Sequence, residues 1–222
     1  MKQFNFLTGR STDSLEFFLG NRFLVHREVR EPLETLFHDA ESAGINLALS
    51  SSFRSYEDQA VIWNKKASGL LPVLDSDSVA LDISNYSNEE LLFKILRWSA
   101  IPGGSRHHWG TDFDVYDKNG IPPDYKVQLI PQEYEEGGPF YNANNWLSEN
   151  MERYGFFRPY LKDSGGVAPE PWHISYSPIS EKCSEEYSID LFIRHLDESN
   201  FLLRDEAKQY TTEIFQRFMK RS

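Results

Sequence analysis

Val29, Leu33, Leu36, Phe37, Ala40 and Ala43 recur at helical spacing and predict an amphipathic helix with one buried stripe. Pro32 suits a first turn, where its missing N–H costs nothing, and Gly44 is a stop signal. The period then changes: Ile45, Leu47 and Leu49 alternate with Asn46 and Ala48 as a strand does, and run into the loop Ser50-Ser51-Ser52-Phe53-Arg54. Ser55 with Asp58 has the form of an N-cap with an acidic first turn, opening a helix that Gly69 closes. Ser87 to Glu90 is a capping box ahead of the apolar run at Leu91, Leu92, Ile95 and Leu96. A further helix is expected from Asn144 to Tyr154, stopped by Gly155. Helical spacing returns in the tail at Ile189, Phe192, Ile193 and Leu196, then at Ile214, Phe215 and Phe218. Residues 118–141, rich in Pro, Gly and acids, read as a long surface loop, the kind that often forms a lid or rim. No regular βαβ alternation is present, so the order of elements predicts an α+β fold.

Composition narrows the class. A length of 222 residues suits one domain, or a domain with a tail, and 16 Phe, 11 Tyr and 5 Trp supply a core. The 34 acidic residues against 23 basic ones give a net charge of -11, which repels phosphate backbones and anionic lipid and excludes nucleic acid as a partner. Cys183 is the single cysteine, so no intrachain disulfide forms, and it is expected to be a packed thiol without a task. Asn5, Gly9 and Arg10 interrupt the apolar stretch that a signal peptide needs, and no segment approaches a membrane span. The expectation is a soluble protein that starts in the cytoplasm, with no membrane insertion and with periplasmic or exported action as the alternative.

The chemistry concentrates in two segments. Gly103-Gly104-Ser105 is a turn, followed by Arg106-His107-His108-Trp109-Gly110 and a strand from Thr111 to Tyr116. Alternation puts Asp112, Asp114 and Tyr116 on one strand face and Thr111, Phe113 and Val115 on the other. Two carboxylates on one face are costly to bury without a cation, and a metal would resolve that cost. His107 lies seven residues before Asp114, across Gly110, so a bend could bring the two together. Pro169-Glu170-Pro171-Trp172-His173 adds the rest. Catalytic zinc typically takes three N or O protein ligands and keeps a position for water, and His107, Asp114 and His173 would make such a set. Glu170 could then serve as the base beside that water. His108 is expected to point away from the site, His26, His38 and His195 to be surface or packing residues, Trp172 to form a wall, and Glu133 to Glu136 to be solvated loop.

Ser105-x-His107-x-x-Gly110 with Asp114, then Glu170-x-Trp172-His173, resembles the signature of the metallopeptidase superfamily of lysostaphin, D-alanyl-D-alanine peptidases and hedgehog. Ser52-Phe53-Arg54-Ser55 with Gln59, and Trp146-Leu147 with Tyr154-Gly155-Phe156, are similar to the VanY-type D-alanyl-D-alanine carboxypeptidases within it. The likeness runs from about Val25 to Tyr176. It implies a small antiparallel sheet carrying one zinc per chain and flanked by helices. Residues 1–180 would form the zinc peptidase domain, with 181–222 a helical extension packed on it. It further implies Glu170 as general base and Arg54 as stabiliser of the oxyanion or holder of the substrate carbonyl. Ser105 and Gln59 would be substrate contacts. Many relatives carry a small residue where this chain has Asp112, which would face the site and bind substrate, orient a ligand or sit at the rim. The implied substrate is a peptidoglycan stem peptide. The implied reaction is D,D-carboxypeptidase cleavage, with L,D-carboxypeptidase, endolysin-like endopeptidase and a non-catalytic zinc-stabilised module as alternatives.

Overall fold

The structure, a computed structural model, describes residues 1–219. Helix α1 (Lys2–Leu7) precedes a hairpin of β1 (Leu15–Phe18) and β2 (Phe23–His26), followed by α2 (Arg30–Ser42), β3 (Leu47–Ser51), α3 (Tyr56–Ala67) and α4 (Asn88–Leu96). Then come β4 (Asp112–Asp117), α5 (Tyr141–Asn150), β5 (Phe156–Phe157) and β6 (His173–Tyr176). The tail holds α6 (Ser177–Glu186), α7 (Ile189–Glu198), α8 (Arg204–Gln209) and α9 (Thr211–Ile214).

The expected caps are present. The Ser55 hydroxyl accepts from the Asp58 N–H to start α3, and Ser87 and Glu90 close a reciprocal capping box on α4. Gly44, Gly69 and Gly155 all take positive φ where the preceding helical turns stop. No element before Val29 is predicted from the sequence, yet α1 and the hairpin are there. Six residues of α1 are too few to display a period, and β1 exposes Phe17 while burying Phe18, so its apolar pattern does not alternate cleanly.

The central sheet has four antiparallel strands in the order β3-β4-β6-β5. Strand pleating divides its residues between two environments. Phe113, Val115 and Ile174 point into an apolar layer with Leu33, Leu36 and Ala40 of α2 and Leu147 of α5, closed at one end by Phe18 and Val25 of the hairpin. Asp112, Asp114, His173 and Ser175 take the other face. In the β4–β6 register Asp114 pairs directly with His173, and Asp112 with Ser175. Direct cross-strand partners on one face bring their side chains together.

A second apolar layer gathers Leu7, Trp63, Leu92 and Ile95 with Cys183, Phe192, Leu196 and Ile214 of the tail. The tail thus shares its core with α1, α3 and α4, and the boundary expected at residue 180 falls inside α6. Cys183 is buried there, and burial pushes its thiol up to about 12.

The 118–141 segment is less solvated than its composition predicts. Tyr134 and Phe140 pack with Trp172 in a third apolar cluster. Glu133, expected in a solvated run, is buried and accepts from the Tyr125 hydroxyl and from the N–H groups of Gln128 and Leu129. One carboxylate thereby shapes a loop that reaches the cavity described next.

Candidate active site

The route from sequence to site runs through Gly110. Its φ is +68°, and a Cβ there would lie 2.9 Å from the His26 nitrogen, so only glycine allows the chain to turn this close to the hairpin. The turn joins a short helical segment, Arg106–Trp109, to β4 and carries His107 back over Asp114. His107, Asp114 and His173 then offer ligand atoms that all lie within 4.8 Å of one another, and all three residues are buried.

The wiring of the two imidazoles assigns their free nitrogens. The His107 Nδ1–H faces the carbonyls of Ser52 and Asp112 at 3.0 and 3.1 Å, leaving Nε2 toward Asp114 at 3.4 Å. The His173 Nε2–H donates to Asp112 Oδ1 at 3.0 Å, leaving Nδ1 at 3.5 Å from Asp114 Oδ1 and 3.2 Å from Glu170 Oε2. Asp114 Oδ1 and His173 Nδ1 are buried without a hydrogen-bond partner. Orphaned buried polar atoms are rare and need a reason, and a divalent ion supplies it here. Two imidazole nitrogens and a carboxylate oxygen are also the donors that zinc takes. The donor set therefore fits zinc.

Electrostatics point the same way. Burial lowers the His173 pKa, but Asp112, Glu170 and Asp114 around the ring outweigh it and raise it to about 10. The cleft thus favours positive charge at Nδ1, whether a proton or a metal ion. Burial pushes the Asp114 carboxyl up, yet His107, His173 and Arg54 bring it down to about 2, so it stays ionised.

Asp112 is fully buried and does not line the cavity, so it is neither a substrate contact nor a rim residue. It takes the remaining role its position allowed and orients His173. One oxygen accepts from His173 and from Arg106 Nε at 2.7 Å, and the other from the Thr111 hydroxyl at 2.6 Å. Burial would raise its pKa, but Arg106, His173 and Thr111 hold it well below the usual carboxylate range. The cation that makes two neighbouring carboxylates tolerable at this position is Arg106, which also donates to Ser175 on β6.

Glu170 is held by its backbone: its N–H donates to the Tyr160 carbonyl at 2.8 Å and its carbonyl accepts from the His173 N–H at 3.1 Å. Arg158 Nε steadies the same turn through the Pro171 carbonyl at 2.8 Å, and Trp172 stacks on Trp98. On the opposite side, Arg54 follows β3 and donates from Nη1 to Gln59 Oε1 at 2.8 Å and from Nη2 to Ser51 Oγ at 3.0 Å. Gln59 is buried, and its amide nitrogen is spent on the Ala100 carbonyl at 2.7 Å. It does not line the cavity, so its place as a substrate contact is corrected to that of a brace for Arg54. Arg54, Ser105, His107, Asp114, Glu170 and His173 do line one cavity of about 280 Å³, with Gln128 and Leu129 of the 118–141 loop at its edge. Lys66, Arg106 and Tyr160 also face it and were not singled out from the sequence. The lone signal for Arg106 was Asp112, a carboxylate in need of a cation; nothing local marked the other two.

The sequence model of the family described as VanY, D-alanyl-D-alanine carboxypeptidase, matches residues 22–179. The chain belongs to this family. Its donor set is that of a zinc metallopeptidase. An uncharacterised protein of Haemophilus influenzae is 35% identical over 121 residues, 54% of this chain and 92% of that one. A D-alanyl-D-alanine carboxypeptidase of Enterococcus faecalis is 28% identical over 166 residues, which cover 70% of this chain but 52% of the relative, so the chain spans about half the length of that enzyme. Among solved structures, VanYB in complex with D-alanine-D-alanine aligns with a TM-score of 0.55 at 23% identity, covering 84% of this chain and 89% of the other. The vancomycin-resistance D,D-pentapeptidase VanY in complex with Zn(II) aligns at 0.53 and 21%, covering 86% and 87%. These likenesses show the same α+β fold. Among the described residues no helix is long and apolar enough to cross a membrane.

Proposed function

We propose that the protein is a zinc-dependent D-alanyl-D-alanine carboxypeptidase that removes the terminal D-alanine from peptidoglycan stem peptides. The observation that carries the reading is the convergence of the orphaned donors of Asp114 and His173 with Glu170 and Arg54 in one cavity. The solved VanYB complex with D-alanine-D-alanine supports the choice of substrate.

His107 Nε2, Asp114 Oδ1 and His173 Nδ1 would hold the zinc. When bound, zinc polarises a carbonyl and lowers the pKa of water from about 15.7 to about 7. Glu170, next to His173, takes the proton of the attacking water and passes it to the leaving amine, the paired duty of a general base and acid. Arg54, braced by Gln59 and Ser51, presents a fixed cation to the oxygen on which negative charge develops, and such a group costs no reorganisation during the reaction. Asp112 keeps the His173 ring in the tautomer that leaves Nδ1 free.

The test is incubation of zinc-loaded protein with defined muropeptides, read by mass spectrometry. Loss of one D-alanine from pentapeptide stems is the expected result. Trimming of tetrapeptide stems alone would reassign the protein to L,D-carboxypeptidases, and internal cleavage would make it an endopeptidase.

A further inference from the structure

Three cations face the cavity: Arg54, Lys66 and Arg106. Arg106 is neutralised by Asp112, and Arg54 is aimed by Gln59 and Ser51. Among the described residues Lys66, like Arg54, has no carboxylate partner, but a single neutral group holds it where two hold Arg54. It stands one turn after Ile62 on α3, so both side chains reach the same wall. Its Nζ donates to the Ser99 hydroxyl at 2.7 Å, and among the described residues no carboxylate lies within ion-pairing distance. Burial lowers its pKa to about 8; Glu170 raises it and Arg54 lowers it further. A half-buried lysine whose ammonium has one neutral partner is costly, and in a chain of net charge -11 an acidic partner would be easy to supply. Ammonium groups kept this way inside a cleft mark functional sites.

We propose that Lys66 anchors the free C-terminal carboxylate of the peptide substrate. The assignment rests on the carboxypeptidase reading, since a carboxypeptidase substrate always brings its C-terminal carboxylate into the cleft while a peptide cleaved internally does not. Ser99 holds the ammonium in place for that anion. The carboxylate supplies the counter-charge that the fold withholds. Lys66 is a specificity-determining residue that binds substrate and takes no part in proton transfer.

The experiment compares N-acetyl-L-Lys-D-Ala-D-Ala with its C-terminal amide, in the zinc-loaded protein and in its Lys66→Met and Lys66→Arg forms. Calorimetric titration in a Glu170→Ala background measures binding apart from turnover. The expected result is that Lys66→Met weakens binding of the free acid about tenfold or more and leaves the amide unchanged, with Lys66→Arg recovering most of the loss. In the hydrolytic enzyme Lys66→Met raises KM with little change in kcat. An undiminished preference for the free acid in Lys66→Met, equal affinity for the two peptides before mutation, or no binding of either overturns the assignment. Carboxylate-dependent, Lys66-dependent binding without hydrolysis by the wild-type protein would instead sink the catalytic reading and leave the anion site standing.

Discussion

His107 and His173 stand in the cavity wall, and His108 and His195 lie behind it; all four are buried. Their hydrogen bonding differs in kind. His108 donates from Nδ1 to the Arg54 carbonyl at 2.7 Å and accepts at Nε2 from the Gly103 N–H at 2.9 Å. His195 donates from Nε2 to the Pro102 carbonyl at 2.6 Å and accepts at Nδ1 from Arg10 at 3.1 Å. Both rings of the rear pair are saturated by the protein. In the front pair each ring spends one nitrogen on the protein and turns the other toward Asp114. Charge sets His173 apart from the rear pair. Burial takes His108 down to about 3 and, with Arg10, His195 down to about 4, whereas the carboxylates around His173 raise it to about 10. Burial alone makes a neutral structural histidine. A ligand histidine needs burial, one nitrogen left over and surrounding negative charge.

The sharpest way to break this comparison is to truncate one histidine from each pair. His173→Ala should abolish stoichiometric zinc and hydrolysis together. His108→Ala should keep its zinc and lose about 1–3 kcal/mol of stability, because the Gly103 N–H is left buried without an acceptor. Metal analysis and denaturant unfolding read the two outcomes, and zinc lost from His108→Ala but retained in His173→Ala would reverse the assignment.

Next in size are two variants that should leave the metal in place. Glu170→Ala is expected to keep zinc and lose about 10²–10⁴ in turnover, and Arg54→Ala about 10²–10³. Gln59→Leu should lower turnover in the same direction by less, since it frees Arg54 without removing it. Zinc departing with Glu170 would make that residue a ligand. Asp112→Asn tests the orientation of His173 more gently: zinc affinity should fall about 10–100-fold, as measured by competition with a chelator. Unchanged affinity would reduce Asp112 to a partner of Arg106.

The last effect belongs to the rear pair and is read through pH. His108 and His195 have folded pKa values of about 3 and about 4, below the unfolded value of about 6.5. Between those limits the unfolded chain binds more protons than the folded one. Stability is therefore fully present above about pH 6.5 and is lost as pH falls toward 4, by about 1.4 kcal/mol per pH unit for each ring. Replacing His195 by Gln should flatten the slope measured by urea unfolding between those pH values; an unaltered slope would show that His195 is already protonated in the folded protein.

How much of this was legible in the sequence depended on distance along the chain. The capping box at Ser87 and Glu90, the Ser55 cap and the alternation of β4 are local, and each is present as expected. The ligand set was legible because His107 and Asp114 flank one turn and Glu170 and His173 another, so only one long-range convergence had to be supplied. Gln59 was misplaced because an amide on a helix looks the same whether it meets substrate or braces an arginine five residues earlier. Glu133 was misplaced because an acidic run reads as solvated, and the ring of backbone donors that buries it exists only after the loop folds on itself.

The amino-acid order alone settled the α+β class, the three donors for one cation and the carboxylate beside them, since residue type and short spacing decide those. It also settled the net negative charge of -11. Which nitrogen of each imidazole is free, what the second β4 carboxylate holds, and that Lys66 meets a hydroxyl rather than a carboxylate were decided by strand register and by packing between α3, β4 and β6. Those choices turn on contacts between residues tens of positions apart, and no local pattern in the chain encodes them.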